Sequence, residues 1–123
     1  MQIPYEKKDA GLGIGFGLFA KAFIPSGTLI WKFIPGVNVK VYDGKAALNR
    51  ISQFSSKKDA QHWLDMTYGL HGNLNEILDD GRYMNHSLEA NCRTRENGDT
   101  YSIVDILPGD QLFEDYTTFG MIY

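Results

Sequence analysis

Glu114, Asp115 and Tyr116 place two carboxylates and a phenol in succession near the end of a 123-residue chain. Side chains alternate between the faces of a strand, so an extended Leu112 to Tyr116 sets Glu114 and Tyr116 on one side and Asp115 on the other. An acid and a phenol on one face can share a site for moving protons. The same alternation argues against glycoside hydrolysis, whose two carboxyls must flank one bond. A second concentration of hydrogen-bonding groups runs Arg82-Tyr83-Met84-Asn85-His86-Ser87 and on to Asn91-Cys92, where apolar spacing lapses. A loop tied down by its own amides and a ligand cradle both fit, and for Asn91 the tied loop is the simpler reading. His86 taken alone reads as a core histidine. With His62 and His71 it fits no recognised metal-ligand spacing, so no metal site is expected.

Gly11, Gly13, Gly15 and Gly17 recur at alternate positions and leave bare backbone that a ligand can approach closely. Gly15-Phe16-Gly17-Leu18-Phe19-Ala20 also fits a dinucleotide fingerprint. That motif needs a strand before it and a long helix after it, whereas Pro25-Ser26-Gly27 stops the chain shortly beyond Ala20. A cofactor loop and a strand with a glycine bulge remain.

Short strands are expected to position these groups. Leu29, Trp31 and Phe33 alternate with polar or outward residues, as do Val37, Val39 and Val41, with Pro25-Ser26-Gly27 and Pro35-Gly36 as turns. From Gly44 the spacing becomes helical through Ala47, Leu48, Ile51 and Phe54. Ser56-Lys57-Lys58-Asp59 reads as the capped start of a second helix leading to Trp63 and Leu64. Tyr68-Gly69-Leu70 and Leu74-Asn75-Glu76-Ile77 flank a His71-Gly72-Asn73 turn, and Asp79 or Asp80 caps one helical turn through Tyr83 and Met84. Strands are predicted again at Cys92 to Glu96 and Tyr101 to Ile106 around an Asn97-Gly98 hairpin. After a Pro108-Gly109 turn, a last one runs from Leu112 to Tyr116. The fold class expected is mainly β, a β-rich α+β domain with a helical insert at about 44–81.

Composition sets the outer bounds. Hydrophobic residues make up 43% of the chain and charged ones 22%, a globular balance that at this length predicts one domain over 1–123. A formal charge of -3 with dispersed basic residues supplies no face for a phosphate backbone, so direct nucleic-acid binding is not expected. Cys92 is the only cysteine, which excludes an internal disulfide and suits a reducing cytoplasm or nucleus. No apolar run approaches a membrane span and the N-terminus lacks a signal pattern, so a soluble, intracellular protein is expected.

Taken together and in order, the three segments resemble the SET domain, a methyltransferase family. Gly15 to Ala20 is similar to its first cofactor motif, Arg82 to Ser87 with Asn91-Cys92 to its most distinctive one, and Gly109-Asp110-Gln111-Leu112 with Asp115-Tyr116 to its closing one. The likeness spans about residues 12–116. It implies several small sheets with a pseudoknot, in which the Asn85-His86 segment threads beneath a loop beside the closing strand. It also implies S-adenosylmethionine as cofactor, a protein or peptide lysine as substrate, with histones among the candidates, and Tyr116 at the reacting centre. The cofactor contacts implied are Gly13, Gly15, Phe16, Gly17, Arg82, Asn85 and His86, with Tyr68 added by position in the insert.

A lysine presented neutral at pH 7 costs about 4 to 5 kcal/mol, which an apolar channel and a sulfonium charge can offset. Glu114 departs from the family, which often carries phenylalanine or tyrosine there to limit the number of methyls. A carboxylate at that position suggests either a proton acceptor or control of methyl count. The second departure is at the end, where Thr117 to Tyr123 follow the closing motif without the cysteine-rich zinc segment that closes the lysine channel in many relatives. Phe119 and Tyr123, a second copy in a homodimer, or further chain beyond Tyr123 are the candidate lids. The alternatives are a SET-fold binding module with little catalysis, and a methyltransferase for a non-lysine amine.

Overall fold

The computed structural model describes residues 1–11 and 13–118, and among them the chain forms three small sheets. Tyr5–Asp9 (β1) pairs antiparallel with Phe16–Ala20 (β2), Tyr5 opposite Ala20 and Asp9 opposite Phe16. Leu29–Trp31 (β3) stands at the edge of a second sheet. This strand is shorter than expected because the Phe33 N–H turns to the Asp99 carboxylate at 2.8 Å instead of to a neighbouring strand. Val39–Tyr42 (β4) starts late for a similar reason. Asn38 takes the Ile34 N–H and donates to the Lys32 carbonyl, which folds Val37 into a turn.

The helical insert follows its sequence signals. Gly44–Ser52 (α1) is capped by Asp43, which accepts from the Ala46 N–H at 2.7 Å, and Lys57–Asp65 (α2) by Ser56, which accepts from Asp59 at 3.1 Å. Thr67–Leu70 (β5) and Asn73–Ile77 (β6) then form a hairpin, and with β4 a sheet ordered β4-β6-β5. Its two-residue turn has His71 at φ 56° and Gly72 at φ 77°, the paired positive angles that match the twist of a tight hairpin. The apolar face of the insert gathers Tyr42, Ala47 and Trp63 into a cluster of its own, with the Tyr42 and Trp63 rings edge to face at 5.0 Å.

Asp79 caps a 3-10 turn at Asp80–Tyr83, and the chain enters Asn85–His86 (β7). Cys92–Thr94 (β8) and Thr100–Ser102 (β9) form the predicted hairpin in a shorter version. Past Ser102 the chain leaves the sheet, so that Asp105 can accept from the Ser26 N–H and Ile106 can bridge Ile24. Residues 109–112 lie against β2, with the Leu112 N–H on the Leu18 carbonyl at 2.7 Å. Leu18, Ile24, Ile30, Met84, Ile106 and Leu112 are the heart of the main core.

Phe113–Glu114 (β10) completes a sheet ordered β3-β9-β8-β10-β7, parallel to both β7 and β8. Because β7 and β8 are consecutive in sequence, the closing segment passes between two strands that their own connection joins. This is the threading that the resemblance implied. The last strand ends at Glu114, not at Tyr116. Asp115 accepts from the Thr117 N–H and hydroxyl at 3.0 and 2.6 Å, which curls Tyr116–Thr118 into a 3-10 turn. Among the described residues no helix is long and apolar enough to cross a membrane.

Candidate functional site

The glycines divide into two kinds. Gly11, Gly13 and Gly15 hold φ of 85°, 72° and 95° in the β1–β2 connection, and a Cβ on any of them would meet nothing within 4 Å. They form an open turn before the strand and not a bulge within it. Gly17 sits in close quarters, since a Cβ there would come 2.6 Å from Gln111 Oε1 and 3.2 Å from Asn85 Nδ2, so the end of the Gln111 side chain would have to shift. Beside the turn the half-exposed Phe16 ring meets Tyr83 edge to face at 5.8 Å. The Lys7 ammonium lies 5.3 Å from the first ring centre and 4.7 Å from the second.

Asn85 joins the glycine segment to the closing one. Its Nδ2 donates to the Phe16 carbonyl at 3.1 Å and to Gln111 Oε1 at 2.9 Å, while Oδ1 has no hydrogen bond among the described residues. His86 is exposed and is not a core histidine. Its Nδ1 accepts the Tyr116 N–H at 3.0 Å, so the proton of a neutral ring sits on Nε2. Asp115 stands 3.9 Å from the same Nδ1, and hydrogen bonds from Thr117 hold its carboxyl below the usual range. Asn91 is the tied loop that its sequence suggested. Its amide donates to the Gln111 carbonyl and accepts from the Phe113 N–H, each at 2.8 Å. Arg82 lies on the rim, donating to the Tyr83 hydroxyl at 2.6 Å with its guanidinium 4.8 Å from that ring centre.

Tyr116 and Glu114 come together by a route the sequence did not predict, one from a strand and the other from the turn after it. The Tyr116 hydroxyl donates to the Met84 carbonyl at 2.5 Å. Burial first, then the charge of Glu114, pushes that phenol up to about 12, so it stays a neutral donor at physiological pH. Glu114 itself is buried, with 8% of its surface exposed. Its Oε1 accepts from the Thr94 hydroxyl at 2.5 Å, and Thr94 in turn lies 2.7 Å from the Thr100 hydroxyl. Burial pushes the Glu114 carboxyl up to about 7 against the pull of Thr94. Tyr68 on β5 is buried, and its phenol is pushed up by that burial and then by the Glu114 charge, which puts the insert within electrostatic reach of the same acid.

Sequence reasoning assigned no role to Thr94, Thr100 or the Gln111 side chain. Thr94 and Thr100 are directly opposite in the β8–β9 register, a pairing that follows from the hairpin once its loop length is known. Phe119 and Tyr123, the candidate lids, lie outside the described residues.

The family model of the SET domain matches residues 15–117. Among solved structures the chain is similar to a humanized mutant of the Chaetomium thermophilum Polycomb Repressive Complex 2 bound to the inhibitor GSK126. The identity is 18% and the TM-score 0.69, over 99% of this chain and 16% of that one. It is similar also to ctPRC2 in an autoinhibited conformation bound to S-adenosylmethionine, with 16% identity and a TM-score of 0.69 over 99% and 16% of the two chains. This chain therefore spans only a small part of either. A Plasmodium falciparum protein designated a histone methyltransferase matches at 16% identity and a TM-score of 0.61, over 94% of this chain and 95% of its own. With the model covering most of its length, and with the closing segment threaded between β7 and β8, the chain belongs to the SET-domain family.

Proposed function

We propose that the chain is a methyltransferase that uses S-adenosylmethionine to methylate the side-chain amine of a lysine in a protein. The observation that carries this reading is the convergence at Tyr116, whose N–H rests on His86 Nδ1 and whose hydroxyl rests on the Met84 carbonyl, on either side of Asn85. The cofactor segment and the reacting tyrosine are thereby one hydrogen-bonded unit.

The residues present fit the cofactor. The open backbone at Gly13 and Gly15 admits close approach, and the half-exposed Phe16 ring supplies an aromatic face. Asn85 Oδ1 is an acceptor suited to an ammonium, and the outward Nε2–H of His86 is a donor suited to a ring nitrogen. Gly17 acts indirectly by leaving room for the Asn85–Gln111 pair, and Arg82 and Tyr83 form the rim. When bound, S-adenosylmethionine supplies an electrophilic methyl on a sulfonium. Tyr116 then fixes the angle of the incoming amine, through a hydroxyl kept neutral and oriented by Met84, while the buried Tyr68 helps exclude water.

Calorimetric titration with S-adenosylmethionine, followed by labelled-methyl transfer to a panel of core histones and lysate proteins with mass-spectrometric mapping, tests the reading. Binding and label on lysine are expected, with turnover lost in Tyr116→Phe while the fold and cofactor affinity stay. Label on another residue type, or no cofactor binding, overturns it.

A further inference from the structure

Among the described residues Glu114 is a buried acid without a counter-ion, since no lysine, arginine or histidine of theirs stands within salt-bridge distance of it. The groups around it are Cys92 and Thr94 on β8, Thr100 on β9, His86 opposite it on β7, and Tyr68 and Tyr116, whose phenols both feel its charge. Of these only Thr94 hydrogen-bonds the carboxylate side chain among the described residues. A buried carboxylate left this way costs stability, and a site that keeps one beside the reacting tyrosine is complete when a cation arrives. A lysine ammonium is such a cation.

We propose that Glu114 receives the proton of the target ammonium, and that the Thr94 hydroxyl, braced by Thr100, positions the carboxylate for that transfer. The proposal rests on the methyltransferase reading and deepens it. One N–H bond of the ammonium breaks and an O–H bond forms on Glu114, leaving a lone pair on nitrogen. That lone pair forms the N–C bond as the C–S bond breaks, and the C–S electrons stay on sulfur. The product is a methylammonium and a neutral thioether, and the Glu114 proton passes to solvent as the product departs. Burial supports this role, because an acid at about 7 is a far better acceptor than one at its ordinary 4.5. Thr94, which donates to the charged form, keeps the acceptor from being neutralised by burial altogether.

The test is the pH profile of kcat from pH 5.5 to 9.5, at saturating S-adenosylmethionine, on the lysine protein most strongly labelled in the panel, with cofactor affinity measured in parallel. In the wild type a rising limb is expected near pH 7. Glu114→Gln is expected to lose that limb and about 100-fold in kcat at pH 7, with cofactor affinity unchanged. Thr94→Val moves the limb to higher pH and Thr94→Ser restores it, which tests the proposal even where Glu114→Gln folds poorly. A Glu114→Gln profile superimposable on the wild type, or a Thr94→Val limb that does not move, overturns the proton-acceptor role and leaves the methyltransferase reading intact. A wild type that binds no S-adenosylmethionine, or binds it and labels no lysine, removes the methyltransferase reading and this role with it.

Discussion

The threaded segment and the helical insert are held by different forces. The insert encloses Tyr42, Ala47 and Trp63 behind two capped helices and a three-stranded sheet, so its cohesion is mostly apolar contact. The knot is built from the two-residue strands β7 and β10, which offer few ladder hydrogen bonds. Side-chain amides do the positioning there. Asn85 binds across to Phe16 and Gln111, and Asn91 binds Gln111 and Phe113. Apolar contact is non-directional and tolerates small shifts, whereas an amide clamp fixes both distance and angle. The segment that carries Asn85 and leads to Tyr116 uses the second, and the insert uses the first.

Trp63→Ala breaks this contrast most severely. Removing the buried indole costs about 3 to 5 kcal/mol, and it also abandons the bond from its N–H to Glu76 at 2.9 Å. Denaturant melts read the loss. Hydrogen exchange should show β4 to β6 opening first while β8 and β9 keep their protection. Equal loss in both regions would mean that they are one cooperative unit.

Glu114→Gln sharpens the contrast from the other side. The folded-state carboxyl lies near 7 against an ordinary 4.5, so between those values the folded protein binds the extra proton. Its contribution is intact below about pH 4.5 and is lost as pH rises through 7, about 3 kcal/mol in all. Glutamine removes that slope. Urea melts at pH 5 and pH 8.5 should therefore show the wild type weakening across the interval and the variant less so, leaving Glu114→Gln the more stable of the two at pH 8.5.

Asn91→Ala is the smaller perturbation of the knot. Two hydrogen bonds to the closing segment are lost, at about 1 kcal/mol each. Melts should fall by about 2 kcal/mol, and cofactor affinity should fall as well, because the Gln111 carbonyl and Phe113 amide that Asn91 holds flank the segment leading to Tyr116. Lost stability with affinity unchanged would show that the clamp serves the fold alone.

The insert was legible because its signals are local. Ser56 with Asp59 and His71 with Gly72 each announce a cap or a turn within a few residues. The glycine, Asn-His and closing motifs were legible as types and order. What joins them was not, because strand alternation places Tyr116 only while the strand lasts. The Asp115 carboxylate ends it two residues early, at Glu114, by accepting from Thr117. The burial of Glu114 was hidden for the same reason, since it depends on β8 lying parallel beside β10, which brings Thr94 to Glu114 across 20 residues of sequence. Likewise Phe33 fitted a strand by pattern and left it for Asp99, a partner distant in the chain.

Ser56→Ala gives the smallest expected effect and a clean measure of coupling between the regions. Ser56 has extended backbone angles, φ -142° and ψ 156°, and its hydroxyl accepts the Asp59 N–H that α2 leaves without an intrahelical partner. Alanine cannot accept that bond, so about 1 kcal/mol is lost, and Ser56→Asp should recover it because aspartate caps equally well and its charge suits the helix N-terminus. The loss belongs to α2, which packs mainly through Trp63 inside the insert's own cluster. Exchange should quicken in α2 and β5 with S-adenosylmethionine affinity unchanged. A fall in affinity that Ser56→Asp reverses would mean that Tyr68, carried on β5 directly after α2, transmits the order of the insert to Glu114.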